Sequence, residues 1–185
     1  MTKPRRGKRL PSYDELVAAA EKVSARARER RATDSEIAVA GGLAMQVWGS
    51  PRLTGDLDVV ATDRLGYSGE PLVFGGVRTR EGDVPLDVIV RDDEWKDLYA
   101  GALAAAVVVD GITPPIVTPE FLVAMKMIAG RPKDDGDVRY LVLSEDLDMA
   151  RAEAVVRRHL GAYAVKELRA ILAEAEWRRS RGEES

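Results

Sequence analysis

The tightest constraint on this chain lies between residues 36 and 61. Glu36-Ile37-Ala38-Val39-Ala40 is a short apolar run of strand character that ends on Gly41-Gly42. Leu43 to Trp48 reads as a short helix, stopped by Gly49-Ser50-Pro51. Leu53 to Ala61 reads as a second strand, and it carries Asp56 and Asp58. On a strand, residues two apart share a face, so the two carboxylates are expected side by side, with Leu57 and Val59 on the buried face. Carboxylates that close repel, and one is driven towards protonation unless a cation neutralises the pair. A divalent ion is the natural neutraliser, and magnesium takes one or two carboxylates together with waters and substrate phosphates.

The flanking sequence predicts a helix-rich chain around a sheet. Ser12-Tyr13-Asp14-Glu15 is a capping box, followed by Leu16, Val17, Ala20, Val23 and Ala27 at helical spacing, which predicts a helix from Tyr13 to Arg31. Residues 72–80 and 84–90 read as strands joined by a hairpin turn at Glu81-Gly82-Asp83. Asp92 or Asp93 is a candidate cap for a helix through Leu103, and Ala106 to Asp110 is a further β-rich run. Thr118-Pro119 marks a cap with proline at the first helical position, for a helix to Ala129. Asp134 is a candidate cap for a helix to Ser144, and two more helices follow near 148–160 and 163–180. The expected fold is α+β: a basic arm over residues 1–11, a mixed-sheet core over 12–117 and a helical region over 118–185.

Composition narrows the chemistry. There is no cysteine, so no disulfide framework, no thiolate metal site and no cysteine nucleophile. The one histidine, His159, rules out a multi-histidine zinc site and leaves a Ser-His-Asp triad improbable. Carboxylates, basic side chains, hydroxyls and backbone remain, a set suited to hard metals and phosphates. No apolar run approaches the roughly 18 residues of a membrane span. The start, Met1-Thr2-Lys3-Pro4-Arg5-Arg6, has no apolar stretch behind it, so a cytoplasmic chain without membrane contact is expected. Residues 1–31 carry ten basic and four acidic side chains, a net of +6, whereas the rest carries a net of −9. Such a basic segment is either a solvated tail with a charged helix face or a footprint for RNA or another polyanion.

Asp87 stands within the apolar run Val84-Pro85-Leu86-Asp87-Val88-Ile89-Val90, where a lone carboxylate is costly to bury. It is an exposed edge position, the partner of an arginine, or a third metal-facing acid beside Asp56 and Asp58. Three such acids suffice for two magnesium ions and in-line phosphoryl transfer. Gly41-Gly42 is either a tight turn or a place where backbone approaches a phosphate closely, ahead of a helix N-terminus.

The combination of Gly-Gly, short helix, Asp-x-Asp and a later in-strand Asp resembles the DNA polymerase beta-like nucleotidyltransferase superfamily. It is most similar to the AbiEii-type toxin nucleotidyltransferases of abortive-infection and toxin–antitoxin systems, through Gly41, Gly42, Ala44, Arg52, Thr54, Asp56 and Asp58. A downstream segment, Lys126 to Ala129 with Arg131, Lys133, Asp134 and Asp137, extends the similarity, which spans roughly residues 37–143. The resemblance implies metal binding by Asp56, Asp58 and Asp87, with Asp87 also activating the acceptor hydroxyl. It implies NTP binding by Gly41, Gly42, Arg52, Thr54, Lys126 and Arg131. It further implies magnesium, an RNA acceptor such as a tRNA 3′ end, and a cognate antitoxin or toxin partner. Protein nucleotidylation, a non-catalytic nucleotide-binding module and transfer to an aminoglycoside-like small molecule are the alternatives. One position departs from the pattern: Leu43 stands where a hydroxyl residue is expected after the glycine pair.

Several of these residues keep a plainer reading. Arg52 contacts phosphate or pairs with Asp87, and Thr54 contacts the nucleotide or bonds the turn before Asp56. Lys126, Arg131 and Lys133 are surface cations or phosphate ligands. Asp134 and Asp137 are helix-start acids or holders of Lys126 or Arg131. Trp48 is core or a base platform, and His159 a helix-end charge.

Overall fold

The computed structural model describes residues 9–30 and 36–182. Most of the expected basic arm and the end of the first expected helix, at Arg31, lie outside these residues. Described helices are α1 (Tyr13–Glu29), α2 (Gly41–Val47), α3 (Lys96–Ala105), α4 (Pro119–Ala129), α5 (Pro132–Val142), α6 (Met149–Leu160) and α7 (Ala162–Ser180). Strands are β1 (Ile37–Ala40), β2 (Leu57–Ala61), β3 (Glu70–Pro71), β4 (Gly76–Glu81), β5 (Val84–Ile89), β6 (Val107–Val109) and β7 (Ile112–Ile116). The strands form one mixed sheet in the order β3-β4-β5-β2-β1-β7-β6, and the helices α4 to α7 follow it in sequence. The fold is α+β, as the element order predicts. Among the described residues no helix is long and apolar enough to cross a membrane.

Local signals account for the helices. Ser12 and Glu15 close the capping box of α1, whose Leu16, Ala19, Ala20, Val23 and Ala27 are buried. That stripe packs on β7, β1 and β2. Thr118 takes the N-cap position of α4 without a side-chain bond to its first turn, Pro119 follows as the first helical residue, and Gly130 ends the helix at φ +58°. Helix α4 is buried from Pro119 to Lys126 because α3, α5 and α6 all pack on it.

Four boundaries differ from expectation. Helix α2 begins at Gly41 itself rather than at Leu43. Strand β2 begins at Leu57, so Asp56 lies in the preceding loop and not on the strand. Helix α5 begins at Pro132, which makes Asp134 its third residue: the carboxylate reaches back to the Arg131 backbone N–H instead of capping. Trp95, not Asp92 or Asp93, precedes α3, although Asp93 accepts from the Trp95 N–H at 3.2 Å. Strand β7 is hidden in sequence by Pro114 and Pro115, which cannot donate to a ladder. It pairs through Ile112 and Ile116 at its ends, with a register irregularity on β6 opposite the prolines.

Candidate active site

Register brings the expected acids together. Asp58 pairs with Asp87 across the parallel strands β2 and β5, and Asp87 pairs with Arg78 across the antiparallel strands β5 and β4. Opposed residues share a sheet face, so Arg78, Asp87 and Asp58 form a row over three adjacent strands. At the end of the row stands Ala40, register partner of Asp58 and the last residue before Gly41-Gly42.

The glycines make room for the acids. A Cβ on Gly41 would overlap the Asp58 carboxylate, and one on Gly42 would overlap the Thr54 side chain. Gly41 also sits at φ +56°, a conformation that other residues adopt at a cost. The pair therefore seats Asp58 and Thr54 directly against the turn from β1 into α2. Leu43, the next residue, is fully buried in the core and presents nothing to this face.

Asp56 owes its position to Thr54 rather than to strand pleating. The buried Thr54 hydroxyl donates to Asp56 Oδ1 at 2.9 Å, with the Asp56 carbonyl as a second acceptor at 3.3 Å. Asp58 has no hydrogen-bond partner among the described residues, whereas Asp56 has Thr54 and Asp87 has Arg78. Burial pushes the Asp58 carboxyl up to about 6, and the charges of Asp56 and Asp87 push it further in that direction, against Lys126 and Lys133. The repulsion inferred from Asp-x-Asp spacing is thus present, with Asp87 contributing to it.

Asp87 is 6% exposed and both its oxygens are taken by Arg78, from Nε at 2.9 Å and Nη2 at 2.8 Å. Asp87 is not an exposed edge position, and it does have an arginine partner, which is Arg78 and not Arg52. Arg52 instead donates to Asp137, from Nε at 2.7 Å and Nη2 at 2.8 Å.

A second cluster is built on α4 and α5. Lys126, 6% exposed, donates to Asp134 Oδ1 at 3.0 Å and to Asp137 Oδ2 at 2.6 Å. Arg131 donates to Asp134 from Nε at 2.6 Å. Three cations therefore surround two buried carboxylates, leaving an excess of one positive charge. The clusters are electrostatically in touch, because Lys126 and Lys133 draw the Asp58 carboxyl down while Asp58 and Asp56 raise the Arg131 guanidinium. Lys126 is thus a buried lysine and not a surface one.

Trp48 spends its indole N–H on the Val117 carbonyl at 2.9 Å, which makes it an anchor between α2 and β7. His159 is in the last turn of α6 beside Phe121, with its pKa lowered by burial and by Arg158. Sequence reading left Arg78 out, although the hairpin turn held the signal. With Gly82-Asp83 as a two-residue loop, Glu81 faces Val84, and counting back sets Arg78 opposite Asp87.

No family model matches the chain, and no curated protein does. Two solved structures resemble it in fold. An antigenic nucleotidyltransferase-like protein from Paracoccidioides brasiliensis is 18% identical, with a TM-score of 0.48 over 89% of this chain and 94% of that one. The antibiotic-resistance factor ANT(2'')-Ia is 16% identical, with a TM-score of 0.47 over 93% of this chain and 98% of that one. At these values neither likeness bears on what this chain does.

Proposed function

We propose that the chain is a metal-dependent nucleotidyltransferase, moving a nucleoside monophosphate from an NTP to an acceptor hydroxyl. The observation that carries this reading is Asp58: a carboxylate pressed against Gly41, crowded by Asp56 and Asp87, and without a hydrogen-bond partner among the described residues. Such an acid is costly unless a cation joins it. Asp56 and Asp58 would hold magnesium, for which oxygen donors are the right chemistry. Among the described residues no three acid or imidazole side chains close a cage around an ion. Two carboxylates completed by waters and substrate phosphates are a donor set that magnesium accepts. Bound there, the ion supplies positive charge to the phosphoryl oxygens.

The chain's own residues do the rest. Gly41 and Gly42 seat Asp58 and Thr54 against the turn, and their backbone would approach the triphosphate. Thr54 fixes the Asp56 carboxylate. Lys126 uses two of its three donors on Asp134 and Asp137, which aims the third, and with Arg131 and Arg52 it offsets charge as pyrophosphate leaves. A two-ion site would need Asp87 as well, whose oxygens each keep acceptor capacity beyond the bonds to Arg78.

The acceptor we assign is RNA, such as a tRNA 3′ end, in a cytoplasmic toxin–antitoxin or phage-defence setting with a cognate partner protein. The motif resemblance supports this, as does charge. Leu10 rests against Gly55, one residue from Asp56, and Lys3, Arg5, Arg6 and Lys8 precede it in sequence. A second reading, a nucleotide-binding module without turnover, is favoured by the burial of Leu43 where the resembled family carries a hydroxyl.

Incubation with each of four labelled NTPs, magnesium and total RNA or cell lysate tests the proposal. Label in RNA that disappears in Asp58→Asn is expected. Label in a protein band instead would transfer the assignment to protein nucleotidylation. Magnesium-dependent NTP binding with no labelled product would favour the second reading, and no NTP binding at all would refute both.

A further inference from the structure

The row Arg78–Asp87–Asp58 holds an arginine that neither the motif resemblance nor the reading above uses. Asp87 is buried, with each oxygen occupied by one arm of the guanidinium. This parallel, two-bond geometry is the strongest form of the Arg–carboxylate pair. The arginine itself is different: its side chain is 55% exposed, and its Nη1 group makes no hydrogen bond among the described residues. Asp87 spends one acceptor site of each oxygen on Arg78, whereas Arg78 has an accessible, uncommitted edge. Arg78 also lies within the field of Asp56. Glu70, its register partner on β3, acts on it as well, so Arg78 stands in the row between Glu70 and the carboxylates of Asp87 and Asp58.

We propose that Arg78 is a phosphate-binding residue of this cleft and that Asp87 is its positioning residue, holding the guanidinium by two bonds so that Nη1 faces the ligand. This rests on the cleft being a nucleotide site only for its setting; the role of Arg78 stands on its own geometry. It gives the third acid a part beside the one the resemblance implies for it: Asp87 orients a cation. The phosphate belongs either to the triphosphate or to the backbone of an RNA acceptor. Both present the same oxygens to an arginine fork.

The test is a double-mutant cycle with binding readouts. Wild type, Arg78→Ala, Arg78→Lys, Asp87→Asn and the charge-conserving double variant Arg78→Ala/Asp87→Asn are titrated with three probes. These are tripolyphosphate, a non-hydrolysable NTP analogue with magnesium, and a single-stranded RNA oligonucleotide. Thermal melts check folding, and Asp87→Asn preserves side-chain shape. Arg78→Ala is expected to weaken at least one probe by about tenfold or more, the loss of a charge-assisted bond. Arg78→Lys recovers little of this, because the fork is lost. Asp87→Asn weakens the same probe less, and without metal adds nothing in the Arg78→Ala background, since it then acts only through Arg78. Loss with the triphosphate probes places the ligand on the nucleotide, and loss with RNA alone places it on the acceptor.

Three outcomes overturn the proposal. In the first, Arg78→Ala leaves all three affinities unchanged, or wild type binds none of the probes. In the second, Arg78→Ala raises magnesium-dependent NTP binding, which would make Arg78 a latch over a metal-ligating Asp87. In the third, Asp87→Asn weakens tripolyphosphate binding without metal as much in the Arg78→Ala background as in wild type. Arg78-dependent binding of tripolyphosphate in a protein that transfers nothing would instead refute nucleotidyl transfer and leave the role of Arg78 standing.

Discussion

Asp58→Asn in the metal-free protein isolates what the carboxylate cluster costs the fold. Burial, then Asp56 and Asp87, raise the Asp58 carboxyl from 3.8 to about 6. A shift of about two units corresponds to about 3 kcal/mol between the two protonation states. An acid whose folded value lies above its unfolded one holds its proton more tightly when folded. Below about pH 4 both states are protonated and Asp58 costs nothing. Between about pH 4 and pH 6 the unfolded chain releases its proton first, so stability falls as pH rises, and above about pH 7 the whole penalty stands. Asparagine keeps the shape and removes the charge. The variant should therefore be more stable than wild type by about 2–3 kcal/mol near pH 8, or about 4–12 °C in Tm for a chain of this size. The advantage should vanish near pH 4. Urea unfolding followed by circular dichroism between about pH 4 and pH 8 with a chelator measures it. Repeating the series with magnesium should shrink the gap, because the ion stabilises only the folded protein whose site binds it. Equal stability of the two proteins across the range, or a less stable variant near pH 8, would refute the reasoning.

Gly41→Ala should lose about 1–2 kcal/mol for left-handed backbone alone, and more because its methyl displaces Asp58; calorimetry should show magnesium-dependent NTP binding lost with it. Thr54→Val frees the Asp56 carboxylate at constant shape, so magnesium affinity should fall by about tenfold, with recovery in Thr54→Ser. Lys126→Met leaves Asp134 and Asp137 with arginine partners only, so urea unfolding should show a loss of about 3 kcal/mol, the low end for breaking a buried pair.

Local chemistry wrote much of this protein legibly. Ser12 and Glu15 cap α1 whatever lies beyond, because their partners are within one turn, and Pro119 sets the first turn of α4 through its fixed φ. Periodicity marks the buried stripe of α1, and an acid inside an apolar run marks Asp87 as a residue needing a partner. Which partner it takes was decided by tertiary structure. The sequence reading names Arg52 alone, and strand register overrules it, setting Arg78 across from Asp87 and leaving Arg52 to Asp137. The parallel pairing of β2 with β5 is of the same kind, since it joins Asp58 to Asp87 through a connection that no local signal encodes. Strand β7 escaped because prolines suppress the local β signal, while pairing at its two ends carries it into the sheet. Asp56 and Asp58 were read as a pair from pleating. The structure keeps them together by another route, through the Thr54 hydroxyl and the missing side chain of Gly41. Spacing along the chain determines which groups are available. Whether a carboxylate ends up free, like Asp58, or bonded through both oxygens, like Asp87, depends on neighbours that only the folded sheet supplies.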